Sequence, residues 1–177
     1  LPERFDLHYI DAEGQPQQME WFAGDGDGIL VDNRDGRAAV DMKGSRLFGD
    51  QAGLFRNCFE QLAQLDTNRD GVVSGAELNG LSVCVDNGDA VVPPAELRSV
   101  QDTGIVSIAT TMSVMHGLMQ SSATMADGRT VLAEDVWFGV APTAPAVATA
   151  APAPAPLAAW AAGLGLLMTA LGTAMAA

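Results

Sequence analysis

Basic residues are scarce in this chain of 177 residues, which contains 9 Lys and Arg against 22 Asp and Glu. The formal net charge of -13 argues against nucleic-acid binding, because a protein that neutralises phosphates must present clustered cations. Charged side chains of either sign are missing from residues 136–177. An acidic segment therefore precedes an uncharged tail.

Cysteine is equally rare, and the two present are Cys58 and Cys84. They have no CxxC spacing and no histidine cluster beside them, which excludes a zinc knuckle or an attached c-type haem. In an oxidising compartment the two thiols could pair, and two buried free thiols fit the sequence as well. The chain begins with Leu1, as expected after removal of a leader, although an arbitrary chain boundary would look the same.

Catalytic signatures are absent as well. The sequence has no GxSxG motif, no HExxH motif and no Cys/His pair in a supporting context. Its two histidines, His8 and His116, lie far apart in the chain. We therefore expect neither an enzyme nor a small-molecule substrate site.

The most informative stretch that is present runs from residue 66 to residue 77, DTNRDGVVSGAE. Calcium prefers six to eight hard oxygen ligands, and a twelve-residue calcium loop supplies them from positions 1, 3, 5, 7, 9 and 12, with glycine at position 6 for the turn. Gly71 occupies that sixth position. The predicted ligands are Asp66, Asn68, Asp70, the carbonyl of Val72, Ser74 and Glu77.

Two further acidic stretches match the calcium pattern less completely. Residues 24–36 are dense in aspartate and glycine, and a solvated turn is the alternative to a calcium site there. The candidate ligands of this stretch are Asp25, Asp27, Asn33 and Asp35. Residues 86–96 look like a shortened loop with Asp86, Asn87, Asp89 and Glu96 as candidate ligands. Val72-Val73 and Val91-Val92 could form the short bridge that joins paired loops.

Helical and β patterns alternate around these loops. Apolar residues recur at helical spacing from Leu54 to Leu65, which predicts a helix that enters the first loop. Strands are predicted at residues 82–85 and 105–108, and an Asp127-Gly128 turn predicts a hairpin between residues 117–125 and 129–138. Residues 1–23 predict another hairpin.

The order of these motifs resembles the EF-hand-like calcium module of large secreted bacterial proteins of the haemolysin or RTX type. The resemblance covers roughly residues 5–138, although Arg46 stands where that family usually has Glu. It is carried by Phe5-Asp6-Leu7, Trp21, residues 24–31, residues 46–50, residues 65–71, Leu97 to Ile105, residues 126–128 and residues 135–138. The resemblance implies calcium-dependent folding outside the cytoplasm and does not imply an enzyme.

The tail divides into a linker and an apolar segment. Residues 141–156 are rich in Ala and Pro, which is typical of a semi-rigid extended linker. Leu157 to Ala177 are uncharged and long enough, at 1.5 Å per residue, to cross a hydrocarbon core of roughly 30 Å as one helix. A disordered Ala-rich tail is the alternative.

Together these patterns predict an α+β fold. It comprises a small EF-hand-like calcium-loop domain with β-hairpins over residues 1–140, followed by the linker and a single transmembrane helix. Because modest-affinity calcium sites need extracellular calcium levels, the domain is expected on the periplasmic side of a bacterial inner membrane. The expected function is that of an accessory or structural subunit that joins an integral membrane protein complex through the helix. A tethered adhesion or surface-interaction module is the alternative.

Overall fold

The computed structural model describes residues 3–4, 24, 26–41, 44–51, 53–88, 91–137 and 166–170. The strands are β1 (Glu3–Arg4), β2 (Gly28–Asp32), β3 (Val72–Ser74), β4 (Leu81–Cys84), β5 (Val91–Val92), β6 (Leu97–Ser99), β7 (Ile105–Ala109), β8 (Ser113–Met115), β9 (Leu118–Met125), β10 (Thr130–Trp137) and β11 (Leu166–Ala170). Among these residues the one α-helix, α1, spans Cys58–Leu62, and short 3-10 helices span Gly44–Arg46, Ala63–Leu65, Gly75–Leu78 and Gln101–Thr103.

Nine of the strands form one sheet in the order β3-β7-β9-β10-β11-β2-β4-β6, and β8 also pairs with β9. The neighbours are antiparallel except where β11 pairs in parallel with both β10 and β2. The hairpin predicted around Asp127-Gly128 is confirmed as β9 and β10, and the predicted strands at 82–85 and 105–108 are confirmed as β4 and β7. The chain is thus predominantly β.

The core lies on both faces of β2. Leu30 belongs to the larger apolar cluster, which also contains Phe59 and Leu62 of α1. Ile29 and Val31 point to the opposite face and join a smaller cluster. Because neighbouring residues of a strand point to opposite faces, a continuous apolar run at this position is what a strand covered on both sides requires.

The predicted α+β EF-hand fold is wrong, because the loop at 66–77 is not flanked by two helices. The entering helix is limited to α1 and the 3-10 turn at Ala63–Leu65, and it does not include Leu54, which is 79% exposed. After Glu77 the chain makes one 3-10 turn and enters β4 at Leu81. Gly80 has a positive φ of 80°, which ends any helix there.

The predicted bridge between the two valine pairs is also wrong. Val72 and Val73 of β3 pair with β7, whereas β5 pairs with β1 in a separate two-stranded sheet. The two loops therefore belong to different sheets and do not form the joined pair that an EF-hand domain would have. Apart from Glu3–Arg4, the hairpin predicted for residues 1–23 lies outside the described residues.

The transmembrane helix predicted for residues 157–177, and the single-pass inner-membrane location derived from it, are contradicted. Leu166–Ala170 form β11 in the middle of the sheet. Pairing with β10 on one side and β2 on the other gives the backbone of this apolar run the hydrogen bonds that a helix would otherwise supply. Across the described ranges, no helix has the length and apolar character needed to span a membrane. The remaining residues of 157–177, and the linker 141–156, lie outside those ranges.

Candidate metal-binding loop and its surroundings

The loop at 66–77 is wound around its own carboxylates. The backbone N–H of Asp70 donates to Asp66 Oδ1 at 3.2 Å and to Asn68 Oδ1 at 2.9 Å. The N–H of Gly71 donates to Asp66 Oδ2 at 2.9 Å. Two left-handed residues make this winding possible, namely Arg69 with φ 60° and Gly71 with φ 89°. The side chains at loop positions 1, 3 and 5, which are Asp66, Asn68 and Asp70, are consequently brought together.

Glu77 closes the loop. Its Oε1 accepts hydrogen bonds from the backbone N–H and the hydroxyl of Thr67, each at 2.8 Å, and its Oε2 accepts from the N–H of Ser74 at 3.1 Å. The Ser74 amide, followed by the Thr67 hydroxyl, lowers the pKa of Glu77. The carboxylate therefore stays ionised at neutral pH and joins the start of the loop to its end.

The loop is held by elements on both sides. Helix α1 precedes Asp66 through the 3-10 turn, and β3 begins at Val72, whose register with β7 places it opposite Ala109. The carbonyl of Gly71 accepts hydrogen bonds from the backbone and the hydroxyl of Thr110, both at 3.0 Å. Local winding and sheet pairing together position the six predicted oxygen donors in one exposed loop.

The donor set suits a hard cation, since every predicted ligand presents oxygen. The arrangement does not include a formed metal centre, however. Within the part of the chain that the structure describes, no group of three or more His, Cys, Asp or Glu side chains is placed to hold a metal ion. Glu77 uses both oxygens on backbone amides of its own loop. The EF-hand assignment is thus wrong, and calcium binding by the loop remains a prediction.

Two aspartates of the acidic stretch at 24–36 are paired with arginines. Asp35 binds Arg46 through two hydrogen bonds of 2.8 Å, and Arg46 also contacts Asp41 at 3.3 Å. Asp32 forms a matching pair with Arg34, with contacts of 2.9 and 2.6 Å. The hydrogen bonds from Arg46 hold the pKa of Asp35 well below its usual range. Arg46 supplies positive charge to both Asp35 and Asp41.

Asn33 and Asp27 occupy other surroundings. The amide of Asn33 donates to Ser82 Oγ at 3.2 Å, while its oxygen accepts the N–H of Ala38 at 2.9 Å, so both ends bind protein groups. Asp27 precedes β2, and Asp25 lies outside the described residues. A cleft of about 560 Å³ opens beside this stretch and is lined by Asp32, Arg34, Asp35, Asp41, Ser45 and Arg46. Its two arginines are already bound to aspartates, so they do not present an anion site.

The acidic stretch at residues 86–96 lies against the stretch at residues 24–36. The β2–β4 register ends with Ile29 opposite Cys84, so Asp27 precedes β2 at the same end of the antiparallel pair where Asp86 follows β4. Gly24 approaches the backbone so closely that an added Cβ would lie 2.2 Å from the carbonyl oxygen of Asn87. Asp86 is buried, and Asn87 Nδ2 donates to Glu96 Oε1 at 3.0 Å. Asp89 lies outside the described residues. Two stretches that are separate in sequence thus meet at one place.

A buried carboxylate outside the predicted ligand sets lies against the first residue of α1. Asp135 in β10 is 1% exposed, and its Oδ2 accepts the backbone N–H of Cys58 at 3.1 Å. Burial, followed by the nearby charge of Asp135, raises the pKa of the Cys58 thiol. Cys58 and Cys84 are both buried, and they lie in different apolar clusters.

Residues 3–139 match the family model for the SPM domain. Because this match spans most of the chain, the protein belongs to the SPM domain family. No curated protein matches the chain. The resemblance to calcium modules of the haemolysin or RTX type remains an expectation from the sequence.

Proposed function

We propose that this SPM-domain protein is a calcium-stabilised, non-catalytic domain that acts as an accessory or structural subunit of a larger assembly. The observation that supports the proposal is that Asp66 and Asn68 both accept the backbone N–H of Asp70, while Asp66 also accepts that of Gly71 and Glu77 closes the loop. Oxygen donors gathered in one exposed loop are what a calcium site requires. The residues that would hold the ion are Asp66, Asn68, Asp70, Val72, Ser74 and Glu77.

Calcium supplies positive charge to a loop whose carboxylates otherwise repel one another. Binding requires Glu77 to exchange its hydrogen bonds with the Thr67 and Ser74 amides for the ion. The exchange would tighten the connection between α1, which precedes the loop, and β3, which ends it. A cation bound to the native loop and absent from the unfolded chain stabilises the fold by mass action.

Differential scanning calorimetry in excess calcium and in EGTA tests this proposal. With calcium at 100 times its dissociation constant, the free energy of unfolding should rise by about 2.7 kcal/mol. Glu77→Gln should remove most of this gain, because the ion loses a bidentate carboxylate. Glu60→Gln is the matched control, since Glu60 lies in α1 and pairs with Arg56 at the surface. Equal melting temperatures in calcium and EGTA would refute the proposal.

A second candidate, a surface-interaction module, is favoured by a different observation. The hairpin of β8 and β9 carries the exposed apolar side chains of Met115 and Leu118, which are cross-strand partners, and exposed apolar patches mark interaction sites. Co-purification in mild detergent separates the two candidates. A stoichiometric complex with other proteins supports a subunit, whereas recovery without such partners supports the interaction module.

A further inference from the structure

The segment that forms the β8–β9 hairpin is rich in methionine. Three of the 8 methionines in the chain follow closely on one another there, at Met112, Met115 and Met119. His116 stands between the last two, and no Asp, Glu, Lys or Arg occurs from residue 110 to residue 126. Thioethers and an imidazole are ligands for soft and borderline metal ions. The hairpin therefore carries soft ligands in a segment that has no carboxylate for a hard cation.

Both ends of β8 are held against β9. Before the strand, Ser121 Oγ lies 2.6 Å from the carbonyl oxygen of Thr111 and 3.2 Å from that of Ala109. Met112 directly follows Thr111, so it enters β8 beside β9. After the strand, His116 and Gly117 make the two-residue turn, with φ of 52° and 85°. Side chains on a segment fixed at both ends lose less freedom when they bind an ion.

The register of the hairpin places two of the thioethers on the same face. Val114 of β8 lies opposite Met119 of β9, and Met112 comes two residues before Val114. Because successive side chains of a strand alternate between its faces, Met112 and Met119 share the face of Val114. They are diagonal cross-strand neighbours, about 7–8 Å apart and within reach of long side chains. Met115, one residue after Val114, points to the opposite face.

Burial at this face differs from that of a methionine that only fills the core. Met125 is such a residue, because it lies in the larger apolar cluster and is 9% exposed. Met119 is half-buried and packs against the same cluster from outside, whereas Met112 is 40% exposed and His116 is also exposed. An ion can therefore reach these side chains from solvent while Met119 is held in place by the core.

We propose that Met112, Met119 and His116 form a binding site for Cu(I), a soft monovalent cation. Thioethers select Cu(I) over hard cations such as calcium, and imidazole is also a copper ligand. The net charge of -13 attracts cations to the protein, and the hairpin has no Lys or Arg to repel one. The site is separate from the loop at 66–77, whose predicted ligands all present oxygen.

Titration of the full chain with Ag(I) tests the site, since silver has the charge and softness of Cu(I) and is stable in air. With the methionine methyl groups labelled with carbon-13, the NMR signals of Met112 and Met119 should shift as silver is added. The signals of Met115, on the opposite face, and of Met125, in the core, should shift far less. Excess calcium should leave the silver-induced shifts unchanged, because calcium prefers oxygen ligands.

Isothermal titration calorimetry of variants gives the second measurement. Met112→Leu and Met119→Leu keep an apolar side chain of similar volume and remove the thioether, so each should raise the dissociation constant for Ag(I) at least about tenfold. His116→Asn, which suits a positive φ, should raise it by a similar factor. Met115→Leu is the matched control in the same hairpin and should leave it unchanged. Far-UV circular dichroism and melting temperature confirm that the variants fold.

Three results would overturn the proposal. The first is a full chain that does not bind Ag(I) in either measurement. The second is silver binding that Met112→Leu and Met119→Leu weaken no more than Met115→Leu does, which would place the ion elsewhere, including at Cys58 or Cys84. The third is displacement of the silver by calcium, which would assign the binding to the acidic loops.

Discussion

Replacing Asp135 with alanine tests how the sheet holds the segment that leads into the candidate calcium loop. Asp135 Oδ2 accepts the N–H of Cys58, the first residue of α1, at 3.1 Å, and both residues are buried. The alanine variant leaves that N–H without this acceptor in a site that water does not reach. A hydrogen bond to a charged group contributes about 1.5–3 kcal/mol. We therefore expect the free energy of unfolding to fall by about 2–3 kcal/mol.

Two matched variants separate this hydrogen bond from the general effect of mutating β10. Asp135→Asn keeps an acceptor oxygen and loses the charge, so its cost should be about half that of the alanine variant, at about 1 kcal/mol. Glu134→Ala alters the preceding residue, which points to the opposite face and accepts a half-buried hydrogen bond from Gln120. Its effect should be within about 0.5 kcal/mol.

Urea unfolding followed by far-UV circular dichroism measures all three variants, with the free energy obtained by linear extrapolation. An Asp135→Ala variant as stable as the wild type would show that the Cys58 contact does not hold α1. Equal losses for Asp135→Ala and Glu134→Ala would show that burial of the carboxylate has no special role. Either result would refute the reasoning.

Two further predictions concern the acidic stretch and a close contact. Arg46→Met should lower the melting temperature at pH 7. Arg46 depresses the pKa of Asp35 in the folded protein, so the ion pair stabilises the fold at pH values above the pKa of Asp35 in the unfolded chain, about 3.9. This stabilisation is lost as the pH falls through the folded pKa. The difference in melting temperature between the variant and the wild type should accordingly shrink below about pH 4. A difference that does not change with pH would contradict the prediction. Gly80→Ala should lower the free energy of unfolding by about 1–3 kcal/mol more than Gly117→Ala does, as measured by urea unfolding. The two glycines have a similar φ, but of the two only Gly80 lies where an added Cβ would meet backbone, at 2.6 Å from Arg34 Cα. Equal losses would show that the contact relaxes.

Local patterns predicted the hairpin and the turn at Gly71 well. Asp127-Gly128 is a strong turn signal because its backbone preference matches the twist of paired strands, and β9 and β10 flank it as expected. The winding of Asp66 and Gly71 also follows from local chemistry, since the glycine supplies a positive φ. Such features depend on residues close in the chain, which makes them accessible to sequence reasoning.

Predictions that depended on distant pairing failed. The apolar run 166–170 has the composition of a membrane helix and of a central strand, and its partners β2 and β10 decide between the two. The EF-hand assignment failed for a related reason. A loop pattern does not specify the structure of the next segment, and residues 81–84 lie between β2 and β6 as a strand.

The acidic stretch shows how one residue changes the interpretation of a motif. Four aspartates and an asparagine between residues 25 and 35 favoured a cation. In the structure the guanidinium of Arg46, which is 11% exposed, binds Asp35 and Asp41 instead. A fixed arginine offsets the same repulsion that a bound ion would offset.

Asp135 shows why burial could not be predicted from the pattern of β10. The strand places Val131, Ala133 and Asp135 on one face and Leu132 on the other, and the acid is buried while Leu132 is 47% exposed. Hydrophobic alternation alone would favour the opposite orientation for these two residues. The buried face is decided by α1, whose first N–H finds an acceptor in Asp135. A carboxylate is therefore tolerated in the core because it accepts the first N–H of a helix that begins 77 residues earlier in the chain. The sequence does not reveal this pairing, since the two segments meet only in the folded sheet.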